Sequence, residues 1–135
     1  MPEVTVQVDG FDVLDFREVT RVTKPWGYEL IWAKTDRYCG KLLHITAGES
    51  LSLQYHERKE ETLYLLSGAL DLTVQWGEER RVLRMTPGAT FHVYPRLIHR
   101  MTAVEDSDIL EVSTPELDDV VRLEDRYGRE GTSEA

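Results

Sequence analysis

From end to end the chain alternates short apolar stretches with turn residues, the pattern of an all-β protein. Val4, Val6 and Val8 alternate with polar residues, Asp9-Gly10 marks a turn, and the stretch 11–22 has room for a further strand. Lys24-Pro25-Trp26-Gly27 is a break, followed by a strand over 29–33 and a loop over 35–40. Further strands are predicted over 41–46, 51–55, 62–66, 69–76, 80–85, 90–94, 101–104 and 109–113. Ala47-Gly48, the polar run 57–60, Ser67-Gly68, Gly77-Glu78-Glu79 and Pro87-Gly88 separate them. Strands this short, recurring roughly every 8–12 residues, predict a sandwich or barrel. Near the end Ser113 and Glu116 have capping-box spacing with Pro115 between them, which predicts a short C-terminal helix through Leu123. Residues 130–135 read as a flexible tail.

Composition fits a single globular domain. The chain has 135 residues, 41% hydrophobic and 30% charged. The formal net charge of −9 argues against nucleic acid and against an acidic membrane surface, because phosphates need clustered Lys and Arg. It leaves room for a small anionic ligand held by local cations. With one cysteine, Cys39, there is no internal disulfide. No apolar run reaches the roughly 20 residues of a membrane span. The N-terminus lacks the basic stretch and apolar core of a signal peptide. A cytoplasmic location is therefore expected.

The chemistry concentrates between Gly48 and Gly68. On a strand, alternate residues share a face, so Gln54 and His56 point together while Leu53 and Tyr55 point away. The polar loop then reverses the chain and returns Glu61 beside them. His99 ends a loop after Pro95 and opens another strand. Two imidazoles and a carboxylate can hold one divalent ion, Zn, Mn, Fe or Ni, and leave positions open. Glu61 competes with Glu60 for the carboxylate role, and the six-residue gap to Gly68 favours Glu61. His44 and His92 each sit alone on an apolar strand and read as structural. Cys39 lies in a predicted loop and reads as non-catalytic. Trp26, Trp32 and Trp76 read as packing or subunit-contact residues. Lys24, Lys41, Arg58, Lys59, Arg96, Arg100 and Arg122 are ordinary surface charges unless a pocket collects them, and Lys41, Arg100 and Arg58 are the expected ligand-binding cations.

These residues carry a resemblance. The stretch from Gly48 to Gly68 resembles the first cupin motif, with Gln54 in place of the first histidine. Gly88 to His99 resembles the second motif, with Tyr94, Arg96 and Ala103 departing from its usual proline, glycine and asparagine. Over residues 22–129 the chain is similar to the cupin domain of type II phosphomannose isomerases. The matching pieces are Lys24-Pro25-Trp26-Gly27, Leu51-Ser52-Leu53-Gln54, His56, Glu61, Ser67-Gly68, His99-Arg100, Glu111-Val112, Asp119-Val120-Val121-Arg122 and Asp125-Arg126-Tyr127-Gly128-Arg129. That family tends to carry Arg, then Glu-His-Trp, around its ligand glutamate; here the run is Lys59-Glu60-Glu61-Thr62-Leu63.

The resemblance implies a single-domain cupin, a jelly-roll-like β-barrel with one divalent metal on His56, Glu61, His99 and Gln54. It implies a homodimer and a small sugar-like or anionic ligand. Within the N-terminal strand segment 1–21, residues 4–16 lie outside the matched region and are a candidate for pairing with a partner subunit. Without a Gly-rich nucleotide loop, sugar-nucleotide transfer is not expected. The first functional reading is isomerisation of a sugar or sugar phosphate, with Glu60, Lys41 or metal-bound water as the base. A metal-dependent oxygenase or lyase is the second, since two histidines and a carboxylate suit Fe(II) chemistry. A ligand-binding module without turnover is the third.

Overall fold

A computed structural model describes residues 5–8, 11–14 and 19–133. Among them the chain forms fourteen strands and no helix. The strands are β1 (Thr5–Val8), β2 (Phe11–Leu14), β3 (Thr20–Lys24), β4 (Gly27–Lys34), β5 (Cys39–Ile45), β6 (Leu53–Tyr55) and β7 (Glu61–Ser67). They continue with β8 (Leu70–Trp76), β9 (Glu79–Met85), β10 (Thr90–Val93), β11 (Ile98–Ala103), β12 (Ser107–Ser113), β13 (Val120–Glu124) and β14 (Gly131–Ser133). β1 and β2 pair as an antiparallel ribbon. The rest make two six-stranded antiparallel sheets, ordered β10-β7-β12-β5-β4-β3 and β14-β13-β6-β11-β8-β9. No helix of the described residues is long and apolar enough to cross a membrane.

The inner faces of the two sheets share one core, as the all-β reading requires. Leu63 and Leu65 of β7 and Ile109 of β12 meet Leu70 and Leu72 of β8 and Met101 of β11. Each is almost fully buried while its sequence neighbours on the same strand are less so, which is the period-two pattern realised. β9 borders its sheet with six of its seven residues exposed, and its arginines give that edge the charge that discourages pairing with other chains. The break at Lys24–Gly27 is the turn of the β3–β4 hairpin. Gly27 is required there: its φ is 155°, and an added Cβ would lie 1.9 Å from the carbonyl oxygen of His44.

Two local expectations are corrected. Cys39 and Gly40 belong to β5, not to a loop. The segment after Ser113 is not a helix. Ser113 closes β12, its hydroxyl is bonded to the Thr114 carbonyl, and residues 120–124 form β13 instead. Val120 and Val121 are β-branched, and the exposed edge of β6 offers a ladder that a helix would leave unpaired. Gly131–Ser133, within the segment read as tail, pair with Val120–Arg122.

Candidate metal centre and charged cavity

The core fills only part of the space between the sheets. The rest is a cavity of about 60 Å³, room for a few water-sized groups, walled by charge. Register places its residues. In one sheet Val74, His99, Gln54 and Arg122 stand opposite one another across β8, β11, β6 and β13. In the other, Leu63, Glu111 and Lys41 stand in a row across β7, β12 and β5. Directly paired antiparallel residues project to the same face, so both rows point inward.

His56, Glu61 and His99 meet at one point. All three are buried, and their ligand-capable atoms lie within 4.8 Å of one another. The Nδ1 of His56 donates to the Asp119 carbonyl at 2.6 Å, and that of His99 to the Leu97 carbonyl at 2.8 Å. A carbonyl only accepts, so both Nδ1 atoms bear the hydrogen, and the neutral form of each ring would present a bare Nε2. Neither Nε2 has a hydrogen-bond partner. They stand 3.7 and 3.4 Å from Oε1 of Glu61. Three electron-pair donors are thus buried face to face, and their spacing suits ligands about 2.1 Å from a shared ion. The residues fit a divalent metal. The backbone carbonyls behind the imidazoles are the outer supports such a site needs.

A salt-bridge chain runs from this point. Lys59 Nζ lies 3.1 Å from Glu61 and 3.2 Å from Glu111, and Lys41 Nζ 3.3 Å from Glu29. Lys59 is only 5% exposed although it sits in a polar loop. Burial presses its ammonium down, but Glu111 and Glu61 outweigh that and hold it above its ordinary range. Burial lifts the Glu61 carboxyl, but Lys59 overrides it and keeps the group well below the usual carboxylate range. Burial and the neighbouring Glu61 push Glu111 up, only partly countered by Lys59 and Lys41.

Loop 57–59 is pinned by one side chain. The Asp119 carboxylate accepts the backbone N–H of Glu57, Arg58 and Lys59 at 3.0, 2.6 and 2.9 Å. Burial lifts its carboxyl, but these three amides reverse the shift and leave it below its ordinary value. The group's stabilisation is therefore complete above the unfolded value near pH ~3.9 and fades as pH falls through the lower folded value. Asp119→Ala is expected to cost about 1–3 kcal/mol and to weaken metal binding about 10–100-fold, because Lys59 and the support of His56 both loosen. Denaturant melts and competitive metal titration check this. Arg96 ties the other loop: its N–H donates to the His56 carbonyl at 2.7 Å, and its φ is 73°, the region where the second motif usually has glycine.

The sequence-predicted residues divide. His56, Glu61 and His99 converge, and Gln54 and Lys41 line the same cavity. The Gln54 amide oxygen accepts the Ser52 hydroxyl at 2.6 Å, which engages one of its lone pairs. Glu60 lies outside, 2.5 Å from the Nε2 of His92. His44 is bonded to Asp108 at 2.7 Å and stacks on Tyr28. Arg100 and Arg58 do not reach the cavity. Arg100 follows the inward His99, projects outward and meets Glu124 at 3.3 Å. Arg58 is exposed on the outer side of the pinned loop. Sequence reasoning read Lys24, Lys59 and Arg122 as surface charges and did not single out Glu111, Glu29 or Arg129, yet all six line the cavity. The signal for Glu111 was present, since it alternates with Ile109 on the inward face of β12; the loop position of Lys59 offers none.

Residues 41–113 match the cupin domain family. The chain belongs to the cupin family. It is 36% identical over 137 residues to a mannose-1-phosphate guanylyltransferase of Escherichia coli K12, covering 94% of this chain and 27% of that protein. It is 32% identical over 115 residues to the xanthan biosynthesis protein XanB of Xanthomonas campestris pv. campestris, covering 81% and 24%. The chain thus spans about a quarter of the length of these relatives. KdgF from a Halomonas species superposes with a TM-score of 0.63 at 24% identity, over 73% of this chain and 90% of that one, a likeness of fold.

Proposed function

We propose that this cupin holds one divalent metal on His56, Glu61 and His99, with Gln54 as a further oxygen donor, and isomerises a sugar phosphate there. The observation that carries the reading is the pair of partnerless Nε2 atoms facing one buried carboxylate, beside a cavity rich in cations. The Escherichia coli relative's name, a mannose-1-phosphate guanylyltransferase, supports a phosphorylated sugar, while guanylyl transfer is not carried over from a protein of which this chain covers 27%. Bound there, a divalent ion polarises a carbonyl and orients adjacent oxygens.

The chain supplies the proton transfer. Glu60 is turned away to His92, and Lys41 is paired with Glu29. Glu111 remains: a buried carboxylate lining the cavity, held by Lys59 and standing opposite Lys41 in register. It moves a proton between neighbouring carbons of the sugar. Metal-loaded protein is expected to interconvert aldose and ketose phosphates and to exchange the C2 proton with solvent. Glu111→Gln lowers that exchange about 100-fold or more with metal still bound. Undiminished exchange in Glu111→Gln removes Glu111 as the base, and the absence of exchange with every hexose and pentose phosphate removes the isomerase.

A further inference from the structure

The core between the sheets stays open at one edge. β9 and β10 are the last strands of the two sheets. Along β8 the inward residues Leu70, Leu72 and Val74 are buried, but Trp76, next on the same face, is 47% exposed. On β9, Leu83 stands opposite Leu72 and is 37% exposed. With Phe91, Tyr94 and Leu97 they line a groove of about 310 Å³. It shares no lining residue with the charged cavity around His56 and Glu61. Inward positions of a strand are ordinarily covered by the protein's own core, so large apolar side chains left open there mark a place for another molecule.

Arg81 is the one charged side chain among the described residues that line the groove. It stands opposite Val74, on the inner-face row that continues to His99, while Arg80 and Arg84 alternate to the outer face. Arg80 and Arg84 donate to Gln75 and Asp71 there. The ion pair of Arg81 is with Glu79 at 3.9 Å, both side chains mostly exposed, a pairing worth little. In a chain of net charge −9, an arginine set against an apolar wall is complementary to an anion with an apolar body. The wall on the other side is fixed by the fold. The Leu97 N–H donates to the Tyr94 carbonyl at 3.2 Å and the Arg96 N–H to the His56 carbonyl at 2.7 Å, which closes the turn carrying Tyr94 and Leu97. A preformed groove of this volume suits a small molecule, and the flat rings of Trp76 and Tyr94 favour an aromatic one.

We propose that this groove binds a small aromatic carboxylate, its rings against Trp76, Leu83 and Tyr94 and its carboxylate on the Arg81 guanidinium. The proposal does not depend on the isomerase reading. Calorimetric titration of the full chain with 2-naphthoate, and with the uncharged 2-naphthamide of the same shape, tests it. 2-Naphthoate is expected to bind about 10-fold tighter than the amide, an advantage that shrinks as salt is added. Arg81→Gln brings the two affinities together, and Trp76→Ala weakens both about 10-fold. Arg80→Gln, on the outer face of the same strand, changes neither. All three side chains are exposed, so loss of the fold does not mimic these results. Equal affinity for the two probes in the wild type, or an equal loss in Arg80→Gln and Arg81→Gln, overturns the carboxylate. Absence of binding by either probe overturns the site. A dimer that Trp76→Ala converts to a monomer in light scattering, with no naphthoate bound, gives the groove to a second copy of the chain and overturns the proposal.

Discussion

Protein purified without chelators or an affinity tag is expected to contain about one divalent metal ion per chain, and a His56→Ala, His99→Ala variant none. Carbonyls of the fold hold the Nδ1 of both imidazoles, an arrangement that would preform the donors for a metal. Removing a supporting partner of a metal ligand already costs 10–100-fold in affinity, and removing two ligands costs more. Elemental analysis reads the outcome directly. Metal at about 100 times its dissociation constant should also stabilise the wild type by ~2.7 kcal/mol and leave the variant unmoved. Zinc or manganese would agree with isomerisation, whereas oxygen uptake that depends on iron would redirect the function to oxygenase chemistry. Equal metal in the two proteins would sink the centre.

Lys59→Ala should be the most destabilising single change in the cavity. Lys59 is the one cation in contact with both Glu61 and Glu111 among the described ion pairs. Without it two buried carboxylates lose the ammonium they share, at a cost of about 3–5 kcal/mol. For a chain of this size that lowers the melting temperature by roughly 10–20 °C. Adding Glu111→Gln removes one of the stranded charges and should return part of the loss. The pH dependence has a definite sign. The folded Glu111 carboxyl titrates above its unfolded value of ~4.3, so between the two values the folded state binds more protons and stability from this group falls as pH rises. Lys59→Ala widens the window upward, so its deficit should shrink on acidification from pH ~8 towards ~5. Urea unfolding across that range measures it. A variant as stable as the wild type would show that the carboxylates are not buried as charges.

Much of the centre was legible in the chain. Gln54 and His56 share a strand face by simple alternation, and the gap to Gly68 selected the glutamate that the fold buries. The same alternation would have turned Arg100 outward, because it follows His99 directly; flanking a ligand on a strand means facing the other way. The predicted helix failed for a different reason. A capping-box spacing is a local signal, and it yielded to the hydrogen bonds that the edge of β6 offered to Val120–Glu124.

By itself the sequence determined the all-β architecture, the place of the turns and the convergence of two histidines and a glutamate, because strand periodicity and turn chemistry are encoded by neighbouring residues. Only the tertiary structure decided which charges lie inside. Lys59, Glu111, Lys24, Arg122 and Arg129 look like surface residues one at a time, since a charge is costly to bury alone. They enter the cavity because strands and loops distant in the chain bring partners to one another, and no local pattern records that pairing.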